Sequence, residues 1–272
     1  MKINYKKIFF CLLFAIFYAI FIKITGTALY VLLKFLNKIP DLISVINYLL
    51  LCVILFFILK KLKLLGILKE KGNGFWYGIK VGAFIVCLGI FSIVDDLPQN
   101  ISQGQIQPFI YIVAFCLDML FVGITEEIVF RGIIQNKIYE CFDMKTRKGI
   151  YMAIICSGLI FGSCHILNSM SGISFRAALM QATGVSGMGI YFSAIYYRSN
   201  NIYSMIALHA FNDFANLTAS GIWGIGDLST VVENYNIYAL VGFAFYLALS
   251  LFLLRKSKLN QLNKEIDLKN TK

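Results

Sequence analysis

The sequence predicts an all-α fold, a polytopic membrane bundle of about eight transmembrane helices. Three observations carry that expectation. Of the 272 residues, 59% are hydrophobic and only 14% are charged, whereas soluble domains run at roughly half apolar and a quarter charged. The apolar surplus comes as uninterrupted blocks approaching the roughly 20 residues that a spanning helix needs, not as the periodic faces of soluble helices. The Lys and Arg residues fall between those blocks. No internal repeat and no low-complexity stretch interrupts the pattern.

The first block, residues 8–33, follows a Lys-rich start. A secretory leader begins the same way, but no small-residue cleavage site follows and the apolar run continues, so a retained first helix is expected. Blocks 42–59 and 75–94 complete an N-terminal group of three spans within 1–107. Blocks 108–125, 150–167, 177–197 and 202–223 form a core, 108–223. Block 237–254 and a basic tail make up 224–272. Pro40, Pro98 and Pro108 are expected at or outside helix ends, because proline breaks the backbone ladder.

Charge placement sets the expected orientation. Lys2, Lys6 and Lys7, the stretch Lys60 to Lys71, the stretch Arg131 to Lys148, Arg198 and the tail from Arg255 to Lys272 all fall on one side of the alternating spans. The opposite loops hold only Lys34, Lys38 and Arg176, and Lys23 and Lys80 fall inside spans. By the positive-inside rule both termini are cytoplasmic. A formal charge of +11 is thereby read as a topology signal facing the lipid bilayer, and no nucleic-acid partner is expected. The seven cysteines show no C-x-x-C pair and read as packing residues.

Inside such a chain the polar residues are the informative ones, since an ionisable group at bilayer depth costs about 2.5–3.5 kcal/mol on insertion scales. They concentrate in Glu126-Glu127-Ile128-Val129-Phe130-Arg131, Phe161-Gly162-Ser163-Cys164-His165 and His209-Ala210-Phe211-Asn212-Asp213, which hold both histidines of the chain. Positions i and i+4 share a helix face, so Glu127 can pair with Arg131 and His209 with Asp213. Glu126 points about 100° away from Glu127 and is not committed to that pair. Gly158-x-x-x-Gly162, and Gly184, Gly187, Gly189 and Ser193 after it, are small-residue faces that let membrane helices touch. Cys164 and His165, adjacent on a helix, do not face each other and form no dyad. Asp118 reads as structural or accessory.

Over residues 118–216 these motifs resemble the CAAX protease and bacteriocin-processing family of intramembrane proteases, also called Abi, whose pattern is E-E-x-x-x-R, F-x-x-x-H and H-x-x-x-N/D; here it reads EEIVFR, FGSCH and HAFND. The outlying spans are supported only as hydrophobic segments. The resemblance implies a hydrolase cutting a peptide bond of a membrane-associated peptide or protein. Glu126 would activate water and His165 help position it, His209 and Asp213 would orient or stabilise the oxyanion, and Glu127 with Arg131 would brace the site. A carboxylate is a poor oxyanion donor, so Asp213 throws that role onto His209. Glu126, His165 and His209 also make up a zinc-type ligand set, and the sequence leaves a divalent metal and a metal-free glutamate mechanism both open. Two other functions fit the residues: an ion- or proton-coupled transporter, though no paired halves are visible, and a non-catalytic immunity protein of the same fold. A Lys-, Ile- and Asn-rich composition points to a bacterial source and to peptides rather than prenylated substrates.

Overall fold

A computed structural model describes residues 3–36, 38–69 and 73–259. Lys2 and Lys71 of the basic loops and the tail 260–272 lie outside the described residues. Among those described there is no strand. The helices are α1 (Tyr5–Leu32), α2 (Leu42–Lys61), α3 (Phe75–Val81), α4 (Ala83–Gln103), α5 (Phe109–Glu127), α6 (Asn136–Tyr139), α7 (Arg147–Ser163), α8 (Phe175–Ser199), α9 (Ile202–Trp223), α10 (Leu228–Glu233) and α11 (Ala239–Leu253). A wider, π-helical stretch, Ile128–Gln135, joins α5 to α6, and α7 tightens into a 3-10 stretch, Cys164–Ser171.

A helix occupies each of the eight expected blocks. Five rods are long and apolar enough to cross a membrane: Tyr5–Leu32, Leu42–Lys61, Ala83–Gln103, Phe109–Tyr139 and Arg147–Ser171. α8 and α9 are as long but richer in polar residues, and both are buried along much of their length. A helix wrapped by other helices need not be apolar all round. α11, at 15 residues, is shorter. Phe10, Phe17, Phe57, Val241 and Phe252 are exposed on α1, α2 and α11, an arrangement that suits hydrocarbon and not water.

Two sequence expectations are corrected. The third block is not one helix over 75–94: the chain breaks at Gly82, where a side chain would run into Leu208 of α9, and α4 continues to Gln103. Pro98 therefore lies inside α4. There it removes one ladder bond, to the Val94 carbonyl, which a helix tolerates with a bend. The expected fifth helix also changes character just before the end of its block, since His165 sits on the 3-10 stretch and not on the α-helix proper.

Packing is set by small residues. α8 packs along α7 and α11, while α5 packs along α9 and α2, and α4 along α9. The helices thus form two rows, α2–α5–α9–α4 and α7–α8–α11. A Cβ at Gly158 would meet the Ile190 backbone and one at Gly162 the Ser186 backbone, so α7 and α8 touch main chain to main chain where the sequence carries its G-x-x-x-G face. Between α5 and α9 a Cβ at Gly123 would lie 3.1 Å from Ala210 N.

The basic loops gather at one end. Lys7 Nζ of α1 lies 2.8 Å from Glu140 Oε2 after α6. Tyr151 OH of α7 donates to the Leu254 carbonyl at 3.0 Å, and Tyr203 OH of α9 to the Leu68 carbonyl at 2.6 Å. At the other end, Gln107 N donates to the Ile222 carbonyl at 2.8 Å, and Ser174 N to Glu233 Oε2 at 2.9 Å.

Candidate active site

Where α5 and α9 of one row meet α7 and α8 of the other, polar side chains from all three motifs converge. Glu127 and Arg131 are fully buried, and Arg131 Nη1 donates to Glu127 Oε1 at 2.8 Å. The i, i+4 pairing expected from sequence therefore holds, although the turn between them is already passing into the π-helical stretch. Such a stretch is rare and recurs at functional sites. Arg131 Nη2 also lies 3.4 Å from the Gly189 carbonyl of α8, and its guanidinium packs 4.5 Å from the Phe161 ring centroid and 5.2 Å from that of Phe192. Desolvated cation–π contacts of this kind contribute about 2 kcal/mol each at best.

The sequence did not reveal the next link. Glu127 Oε1 also lies 2.6 Å from His209 Nδ1, so one carboxylate oxygen joins the arginine of the first motif to the histidine of the third. Nδ1 is thereby committed to Glu127, and Nε2 faces the cavity. Nε2 is 3.6 Å from Glu126 Oε2 and 3.4 Å from Asp213 Oδ2. Glu126 and Asp213, at 18% and 22% side-chain exposure, open onto a cavity, whereas His209, at 3%, is walled in by the rings of Phe161 and Phe192. The close approach at Gly123, one helical turn away, brings α5 and α9 near enough for these contacts.

His165 stands apart from that cluster. It lines the same cavity as Glu126 and His209, its Nδ1 lies 3.4 Å from the Phe161 carbonyl, and its ring packs against Phe161. Among the described residues no hydrogen bond or ion pair links it to Glu126 or His209, although all three border the same cavity. Phe161 contacts Arg131, His165 and His209 together, a physical reason for the aromatic position four residues before the histidine. The Cys164 thiol is bonded to the Ile160 carbonyl at the cavity wall, and all seven cysteines are free thiols.

The zinc-type set Glu126, His165 and His209 is not assembled as a metal centre: among the described residues no group of three or more His, Cys, Asp or Glu side chains is arranged to hold an ion. His209 spends Nδ1 on Glu127, and its Nε2 already has two carboxylates beside it. Among the described residues the donors present do not fit a metal site.

The cavity has a volume of about 700 Å³. Its lining lies in the half of the bundle away from the basic loops: Ser44 at the start of α2, Asp95 late in α4, Asn168 past α7, Gln181 early in α8, Asn216 late in α9 and Tyr235 before α11. With Glu126 and His209 at its floor, a carboxylate and an imidazole face a chamber large enough for an extended peptide segment, inside a wall of helices. Two residues near the cluster, one of them in the chamber wall, carried little sequence signal. Gln135, whose amide donates to the Ser193 carbonyl at 2.9 Å, braces the π-helical stretch from α8; its only clue was being polar within an apolar run. Asp118 was visible as an acid within a span, but not as part of this wall.

Residues 108–215 match the type II CAAX prenyl endopeptidase, Rce1-like, family, a family of proteases, over the segment that supplies every residue of the cluster. Neither a curated protein nor a solved structure matches the chain.

Proposed function

Taking residues 108–215 as an Rce1-like protease segment within a multi-pass membrane protein, we propose that the chain is an intramembrane endopeptidase in which Glu126 activates water for attack on a peptide bond. The observation that carries this reading is the contact chain Arg131–Glu127–His209, which ends with Nε2 between Glu126 and Asp213. A base must reach its proton within hydrogen-bond range and must be held there. Arg131 and Glu127 hold His209, and His209 holds Glu126.

In the proposed reaction a water in the gap between Glu126 and His165 gives its proton to the Glu126 carboxylate as its oxygen bonds the scissile carbonyl carbon. His165, fixed through the Phe161 carbonyl, orients that water. The carbonyl oxygen becomes negative and is stabilised by His209, whose Nε2–H donates to it while Nδ1–H stays on Glu127, with Asp213 beside the ring. Glu126 then returns its proton to the departing nitrogen as the C–N bond breaks, leaving a carboxylic acid and an amine. Only Glu126 changes its protonation state over the cycle, and it ends as it began. Excluding bulk water from the chamber strengthens each of these charge interactions.

Orientation belongs to the same proposal. With the basic loops cytoplasmic, both termini are cytoplasmic and the cavity faces the exterior, so the substrate is a membrane-associated peptide or protein presented from that side. Residues 108–223 then form the catalytic core, flanked in sequence by the N-terminal spans of 1–107 and by 224–272, the last span and basic tail. Comparison of membrane-associated peptides from cells expressing the wild type or Glu126→Gln tests this: full-length substrate accumulates and its fragments vanish in the variant. Identical peptide profiles at matched protein levels would contradict the assignment.

A further inference from the structure

Among the described residues five carboxylates line the cavity, Asp95, Asp96, Asp118, Glu126 and Asp213, and Lys23 is its one lysine or arginine. Lys23 does not balance them. Its Nζ donates to Asn168 Oδ1 at 3.2 Å and to Ser171 Oγ at 2.8 Å, and among the described residues it forms no ion pair. Glu126 and Asp213 share His209. Asp118 has no such partner. It is 7% exposed, its Oδ1 carries no hydrogen bond, and a single hydroxyl, that of Ser44, lies beside the carboxyl. A buried carboxylate without a counter-charge is unstable unless it meets a cation or keeps a proton.

We propose that Asp118 is the subsite that receives a basic side chain, Lys or Arg, of the peptide substrate. This rests on reading the cavity as the chamber of a peptidase. Asp118 precedes Glu126 by eight residues on α5, hence lies about 12 Å nearer the chamber mouth. An extended peptide rises about 3.3 Å per residue, so the basic side chain sits three or four residues from the bond that Glu126 attacks. Asp95 and Asp96, exposed at the mouth, draw a cation inward, since acidic clefts with low-dielectric walls focus the field. The apolar wall, including Met119, Val122 and Met188, takes the intervening residues. The substrate is thus an apolar segment with one positive charge.

The test uses full-length protein in detergent and a set of internally quenched peptides. They share one apolar sequence and carry Lys, Gln or norleucine at each of the four positions on either side of the cleaved bond. At one position the wild type should prefer Lys over Gln by about 10- to 100-fold in kcat/KM, mostly through KM, the range for one charge-assisted pair. Asp118→Asn, which keeps size and can still bond Ser44, should abolish that preference and leave the Gln peptide's rate unchanged. Binding is measured separately on Glu126→Gln protein: adding Asp118→Asn should weaken the Lys peptide about 10- to 100-fold and leave the Gln peptide alone. Equal handling of Lys and Gln at every position, or a preference that survives Asp118→Asn, overturns the subsite and leaves proteolysis standing. If no peptide is cut, the binding arm decides alone. Failure of the peptidase reading shows differently, as cleavage by Glu126→Gln at the wild-type rate.

Discussion

Arg131→Met removes the guanidinium while keeping an unbranched apolar stem. In the wild type that guanidinium is fully buried, bonds Glu127 at 2.8 Å and packs between Phe161 and Phe192. Its loss strands the Glu127 carboxylate, itself fully buried, with the His209 ring as sole donor. Breaking a buried pair from one side costs about 3–5 kcal/mol, chiefly because of the charge left behind. Glu127→Gln added to Arg131→Met removes that charge and keeps an oxygen for His209, so the double variant should recover more than half of the loss. Reversible unfolding in mixed detergent micelles, followed by the fluorescence of Trp76 and Trp223, gives both values. If the single and double variants agree within about 0.5 kcal/mol, the limit at which independent sites add, Glu127 is not a stranded charge and the bracing argument fails.

Gly162→Ala adds one methyl to a helix, worth up to about 1 kcal/mol in intrinsic propensity, yet its Cβ meets the Ser186 backbone. Overpacking of about 1–3 kcal/mol should win, and an equally stable variant in the same unfolding assay would show that α7 and α8 do not touch there. Asp227 caps α10, accepting from the Ser229 hydroxyl and from the Thr230 amide and hydroxyl. These bonds hold its carboxyl down to about 2, below its unfolded value near 3.9. A depressed folded value stabilises above the unfolded one and is lost as pH falls, so exchange of the Thr230 amide should speed up between about pH 4 and pH 2. A rate that tracks only the intrinsic pH dependence would refute the cap. For orientation, single cysteines at Gln105 and Ser229 in a cysteine-free background should react with an impermeant thiol reagent from outside cells and one at Lys63 should not; the reverse pattern would invert the proposed topology.

The sequence made the bundle legible because length and apolarity alone define a spanning helix, and it made the two i, i+4 pairs legible because helix geometry is local. The bond from His209 to Glu127 was not legible. It joins residues 82 positions apart, and nothing local tells which ring nitrogen turns to which carboxylate. The break at Gly82 was hidden for a similar reason, since glycine is common in membrane helices and only the approach of Leu208 gives this one its role. The π-helical stretch after Glu127 has no signature in IVFRGIIQ. His165 was expected on a regular α-helix, and the tightening into the 3-10 stretch that carries it has no local signature. Asp118 was seen as a polar residue in a span; that it faces the chamber of Glu126 depends on α1, α2 and α4 closing around it, a non-local fact.

Glu126 is proposed as the general base of peptide hydrolysis. Glu126→Gln keeps the size and hydrogen-bonding capacity of the side chain and removes the basic carboxylate. In purified protein it should leave unfolding stability near wild type and lower turnover of a cleaved peptide by at least about 10²-fold, the lower range for a lost acid–base group. Cleavage by well-folded Glu126→Gln protein at the wild-type rate would rule out Glu126 as that base.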